Sequence, residues 1–170
     1  AVDAYRPFPT LLGKTLNILV LLEQEDADPE NRQKVAVVQV PSVLGRFIEL
    51  PTTEEGKSEF VLLEDVITKH IEQLFYGYTV KSAQAFRLTR NADLTIHEEG
   101  ARDLLVEIEK ELKKRKWGVG SRLEVRKGEM SDEVLAYLRE EFEIEEADVF
   151  HIDGPVDVTF MCPFVKAISA

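Results

Sequence analysis

Residues 16–40 read LNILVLLEQEDADPENRQKVAVVQV, and this stretch decides the fold. LNILVLLE (16–23) is an apolar run of strand length, and KVAVVQV (34–40) is rich in β-branched valine. EQEDADPENRQ (23–33) is polar and holds a proline, the composition of a loop. Two such runs joined by such a loop pair as an antiparallel hairpin, and Pro41 stops the second strand.

Upstream, YRPFPTLLGKT (5–15) carries two prolines and a glycine and reads as an extended lead-in. Downstream, VLGRFIELP (43–51) reads as a short strand or turn and TTEEGKSE (52–59) as an exposed loop. The apolar period then changes. Leu63, Val66, Ile67, His70, Ile71, Leu74 and Phe75 recur at three and four, the stripe of an amphipathic helix ending at Gly77. Residues 78–90 return to strand, and 97–116 form the clearest helix, with Ala101, Leu104, Leu105, Ile108 and Leu112 on one face. Glu98 and Glu99 at its start and Lys113 to Lys116 at its end suit the helix dipole. SRLEVRK (121–127) is a strand, Ser131 caps a helix carrying Val134, Leu135, Leu138 and Phe142, and ADVFHI (147–152) is a last short strand. This order predicts an α+β fold: one domain over 1–170, a mixed β-sheet covered by amphipathic helices.

Composition narrows the function classes. A chain of 170 residues buries roughly 70% of its unfolded surface, enough for a core without staples. The single cysteine, Cys162, rules out an internal disulfide and cysteine-cluster zinc sites, and it fits a reducing compartment such as the cytoplasm. Acidic residues outnumber basic ones 32 to 21, a formal charge of -11, which argues against sequence-independent nucleic-acid binding. The longest apolar stretch, Ile18 to Leu22, falls far short of the ~18 residues of a membrane span. The chain opens without methionine and closes on the apolar FMCPFVKAISA, which points to a fragment of a longer protein.

Chemistry-bearing residues are sparse. No phosphate-cradling glycine loop occurs, since GVG at 118–120 lacks both the lysine and the spacing. His70 lies in an apolar stripe and reads as a packed, hydrogen-bonded ring; His97 stands at a helix start; His151 alternates with Phe150 and Ile152 and faces solvent. The runs EQEDADPE and EEFEIEEAD read as solvated faces. VKSAQAFRLTRNADLTI (80–96) brings Arg87 and Arg90 together beside a turn. Alternation puts Phe86 and Leu88 on one face and Ala85, Arg87 and Thr89 on the other, with Arg90 on the Phe86 face. Two readings stand: an Arg90–Asp93 pair closing the turn at Asn91-Ala92-Asp93, which the spacing favours, and Arg87 and Arg90 as phosphate-binding candidates. On spacing alone no active site can be assembled: no catalytic residue and no metal ligand is assigned.

Several stretches together resemble the head (middle) domain of the bacterial polyphosphate kinases. AVDAYRPFPTLLGKTLNILVLLE is similar to the segment opening that domain, and VVQVPSVLGRFIELP to its strand–Pro–"RF"–"LP" signature. FVLLEDVITKHIEQLFYGY resembles its first long helix and AFRLTRNADLTI its "TRDAD" strand, with Asn91 in place of the more usual Asp. SRLEV and DVFHIDGPVDV follow in the family's order, so the resemblance covers almost the whole chain. It implies an excised domain of an enzyme that reversibly transfers the terminal phosphate of ATP to polyphosphate, through a phosphohistidine and with magnesium. The resemblance places that histidine and its phosphate-holding arginines in two C-terminal domains, with a helical N-terminal domain helping to hold the nucleotide. For this domain it implies dimerisation and framing of the active-site tunnel, with the other domains of the same chain and a second copy as partners. Two other classes stand beside it. One is a stand-alone phosphate-handling domain resembling the small phosphohistidine phosphatases, with His97 as the candidate base; the other is a pure dimerisation module.

Overall fold

The structure is a computed structural model of the chain and describes residues 11, 13–24, 32–52, 57–90 and 120–168. The helix expected over 97–116, together with His97, Asp93 and most of the lead-in, lies outside the described residues.

The expected hairpin forms. β1 (Thr15–Glu23) pairs with β2 (Gln33–Gln39) antiparallel, Ile18 opposite Val38 and Val20 opposite Ala36. β1 also pairs antiparallel with β5 (Thr79–Arg90), and β5 pairs antiparallel with β6 (Gly120–Arg126). β6 pairs in parallel with β7 (Val149–Ile152), so the sheet is mixed, in the order β2-β1-β5-β6-β7. β1 has a partner strand on each side, and both of its faces are covered. That is why ILVLL runs apolar without alternating.

Each face carries its own apolar cluster. On one, Leu19, Phe86, Leu88, Leu123 and Val125 meet Val134, Leu138 and Phe142 of α2 (Asp132–Phe142). On the other, Leu16, Ile18, Val20, Leu22 and Ala85 meet Leu63 of α1 (Leu63–Lys69), Ile71 and Val156. α2 links β6 to β7; Ser131 caps it by accepting from Val134 N at 3.4 Å, and Glu143 ends it in the left-handed region. Gly120, first in β6, has no room for a side chain, since a Cβ there would stand 2.5 Å from the Ile144 side chain.

Three local expectations change. The helix read over 63–75 is α-helical only to Lys69 and then tightens to a 3-10 turn over Ile71–Leu74. His70 sits at that change of pitch (φ -109, ψ 13), which carries it off the apolar stripe. It is exposed rather than packed, with Gln73 Nε2 3.5 Å from its Nδ1. The exposed loop read over 52–59 gives way, at Glu59, to a second small sheet, β3 (Phe47–Leu50) antiparallel to β4 (Glu59–Leu62), which runs straight into α1. The apolar end of the chain forms α3 (Met161–Ile168), whose Phe164 meets Phe47 and Phe60 edge-on at centroid distances of 4.8 and 5.1 Å.

Candidate functional site: an arginine–carboxylate cluster

Strand alternation along β5 decides where the two candidate arginines go. Arg87 lies opposite Leu16 of β1 and Glu124 of β6, on the face that carries α1. Its Nη1 is 3.5 Å from Glu124 Oε1 and its Nε 3.7 Å from Asp157 Oδ2, with the side chain 16% exposed. The register slips between Thr89 and Arg90, and Arg90 turns to the opposite face. There its Nε donates to the Leu11 carbonyl at 3.2 Å, and its guanidinium lies 5.6 Å from the centre of the Phe142 ring. Burial lowers the Arg90 pKa from its ordinary value. The structure therefore does not bring Arg87 and Arg90 to one place: a single phosphate group cannot touch both.

What Arg87 joins is a cluster that local sequence patterns do not reveal. Arg46, just before β3, grips Glu64 in the first turn of α1: Nε donates to both carboxylate oxygens at 3.2 and 3.1 Å, and Nη2 to Oε1 at 2.6 Å. The same guanidinium donates to the backbone carbonyls of Val156 and Asp157 and lies 4.5 Å from the centre of the Phe160 ring. Leu63 N donates to the Arg46 carbonyl at 2.7 Å, so backbone and side chain both tie the start of α1 to this arginine.

The cluster continues along β6. Arg122 Nε donates to Glu124 Oε1 at 2.7 Å, and its guanidinium lies 3.6 Å from the centre of the Phe150 ring on β7. Arg126 Nη2 donates to Asp65 Oδ1 at 3.0 Å and lies 3.9 Å from Glu64 Oε1, while Nη1 is 3.6 Å from Glu129. Burial works against the Arg126 charge. The Asp65 charge and hydrogen bond, then Glu129 and Glu64, outweigh it and raise its pKa above the ordinary value. Asp157 is in the left-handed region (φ 57), held there while its carboxylate accepts from Thr159 N and Oγ1 at 3.3 and 2.7 Å.

Arg46, Arg87, Arg122 and Arg126 thus face Glu64, Asp65, Glu124, Glu129 and Asp157, with no surplus of positive charge. A phosphate arriving here meets carboxylates as well as guanidinium groups. The arrangement ties β3, α1, β5, β6 and the segment before α3 into one unit. Among the described residues no three His, Cys, Asp or Glu side chains converge as metal ligands, and Glu64 and Asp65 already hold arginines. His151 is exposed, on β7, the last strand of the sheet among the described residues.

The model of the polyphosphate kinase middle domain matches residues 1–164. The chain belongs to that family. The polyphosphate kinase of Halalkalibacterium halodurans is 60% identical to this middle domain over 161 residues, covering 95% of this chain and 22% of that protein. The polyphosphate kinase of Bacillus cereus is 56% identical over 170 residues, covering 99% of this chain and 24% of that protein. The crystal structure of the polyphosphate kinase from Porphyromonas gingivalis superposes with a TM-score of 0.66 over 94% of this chain and 21% of that one, at 22% identity. At that identity the likeness establishes the α+β fold of the middle domain. The chain spans under a quarter of the length of these curated relatives.

Proposed function

We propose that this polyphosphate kinase middle domain works inside a longer cytoplasmic enzyme that reversibly moves the terminal phosphate of ATP to polyphosphate. Its own part is to frame the active-site tunnel and carry dimer contacts, while the chemistry belongs to other domains of that enzyme. The observation that carries this division of labour is the engagement of Arg87 by Glu124 and Asp157: a side chain so held braces a scaffold. The described residues do not fit a magnesium site, because the carboxylates that could bind the ion already hold Arg46 and Arg126. No step of the transfer is routed through them.

The test compares two proteins in one assay with ATP and magnesium. The full-length enzyme should make polyphosphate and take up phosphate on a histidine, and the 170-residue chain should do neither. Time-dependent transfer of phosphate onto the 170-residue chain overturns the framing role. Sedimentation of the full-length enzyme as a monomer at assay concentration overturns the dimer contact.

A further inference from the structure

Two strained backbone positions meet at one cavity. Among the described residues, three that are not glycine adopt the left-handed region: Lys14 (φ 67), Glu143 (φ 53) and Asp157 (φ 57). Glu143 ends α2, where a helix commonly turns in this way. Neither Lys14 nor Asp157 ends a helix, and both line a cavity of about 320 Å³ beside the apolar cluster of the α1 face. Strain of this kind gathers at ligand-holding sites. Leu16 reaches the cavity from the buried cluster, while Leu44, 55% exposed, and the Phe160 ring add apolar wall. Three charged side chains line it, those of Lys14, Arg46 and Asp157. The Arg46 charge is met by Glu64, and Asp157 Oδ2 lies 3.9 Å from Arg46 Nη1 and 3.7 Å from Arg87 Nε. Lys14 is exposed, and no carboxylate among the described residues pairs with it. Its backbone N–H donates to the Leu88 carbonyl at 2.8 Å, which pins the base of the side chain to β5.

We propose that this cavity binds a small apolar monocarboxylate, an anionic group on a body of about two fused rings, the size that suits the low end of ligand cavities. The Lys14 ammonium takes the carboxylate. Leu16, Leu44 and Phe160 take the body, and its burial supplies most of the binding. Asp157, in the same wall, limits the charge that the site accepts. A phosphate ester brings nearly two negative charges, and a polyphosphate chain many more, against the single charge that Lys14 leaves unmatched. The ligand is therefore unlike the phosphates of the transfer reaction. The left-handed backbone at Lys14 and Asp157 is what aims both side chains into one cavity.

The experiment uses the full-length enzyme carrying Ser42→Cys, at an exposed position on the cavity wall. Alkylation of that cysteine by iodoacetamide is followed by peptide mass spectrometry as 1-naphthoate is titrated in. Bound naphthoate should slow the reaction, about tenfold at ten times its Kd. Lys14→Gln should raise the midpoint of protection about threefold or more, the worth of an exposed ion pair. Lys14→Arg, which keeps the charge, should protect as the parent does. The uncharged analogue 1-naphthalenemethanol should protect more weakly than naphthoate, and equally in the parent and in Lys14→Gln. Absence of protection at about 10 mM naphthoate, where even a weak ligand of this size is bound, overturns the proposal. Protection that Lys14→Gln leaves unchanged, or that it weakens equally for the acid and the alcohol, also overturns it. Tighter protection by 1-naphthyl phosphate or polyphosphate than by naphthoate overturns it too, and makes the cavity a phosphate contact.

Discussion

Arg46 and Glu64 are eighteen residues apart in the chain, yet Arg46 Nη2 stands 2.6 Å from Glu64 Oε1 and the Glu64 side chain is 1% exposed. A buried guanidinium that loses its carboxylate keeps the cost of desolvation without the attraction that offsets it. Glu64→Ala should therefore destabilise the protein by about 3–5 kcal/mol, read from the urea midpoint. A midpoint within error of the parent would show that the pair contributes nothing.

Gly120 makes a second prediction. Its Cβ position lies 2.5 Å from Ile144 Cδ1 and Cγ1 and 3.0 Å from the Phe142 carbonyl oxygen. Ile144 is itself buried and cannot swing into solvent. Gly120→Ala should cost about 1–3 kcal/mol, the usual penalty of overpacking. Combining it with Ile144→Ala, which removes both of the atoms in the way, should cost less than the sum of the two single variants, and an additive double variant would refute the clash.

Leu138 sits at 0% exposure, where α2 meets Phe86 and Leu123. Leu138→Ala should lower stability by about 2–5 kcal/mol, the cost of lost burial plus a cavity. Thermal unfolding followed by circular dichroism measures it. A loss under about 1 kcal/mol would mean that α2 does not cover this face.

Tyr137 gives the pH dependence. Burial, then the Glu141 charge and a hydrogen bond to it, raise the phenol pKa to about 12. The folded state therefore holds this proton more tightly than the unfolded chain, whose tyrosine titrates near 10. Its contribution to stability is complete below pH 10 and is lost as pH rises towards 12. Tyr137→Phe should flatten that part of the stability profile. Equal slopes for parent and variant between those two pH values would contradict the shift.

For Arg87 the expected reading is structural. Arg87→Gln removes one partner from Glu124 and one from Asp157, which keep Arg122 and Arg46 respectively. The loss should be about 1–3 kcal/mol of stability, with the KM of the full-length enzyme for polyphosphate changed less than about twofold. A raised KM at unchanged stability would make Arg87 a phosphate contact.

How much of this was legible in the sequence depends on whether the signal was local. β1 and β2 announced themselves as runs of valine, leucine and isoleucine, and α2 by its 3.6-residue stripe and Ser131. The alternation along β5 placed Arg87 and Arg90 on opposite faces before any coordinates, as observed. β4 was missed because Glu59–Leu62 passes into α1 with no turn residue to mark the change. α3 was missed because FMCPFVKAISA has almost no polar positions from which to read a period. The arginine cluster could not be read at all: Arg46 and Asp157 are 111 residues apart, and only the fold closes that distance. Arg46 does stand in the "RF" signature that carried the family resemblance, and no spacing argument reached it.

The order β2-β1-β5-β6-β7 has a consequence for the nascent chain. β1 and β2 are adjacent in sequence, but the strand that completes β1 is β5, made only after β2, β3, β4 and α1. At a synthesis rate of about 5–20 residues per second, the first hairpin waits for β5 for a time on the order of seconds. Throughout that wait β1 presents an unpaired edge and two uncovered apolar faces, the profile that recruits holding chaperones and neighbouring chains.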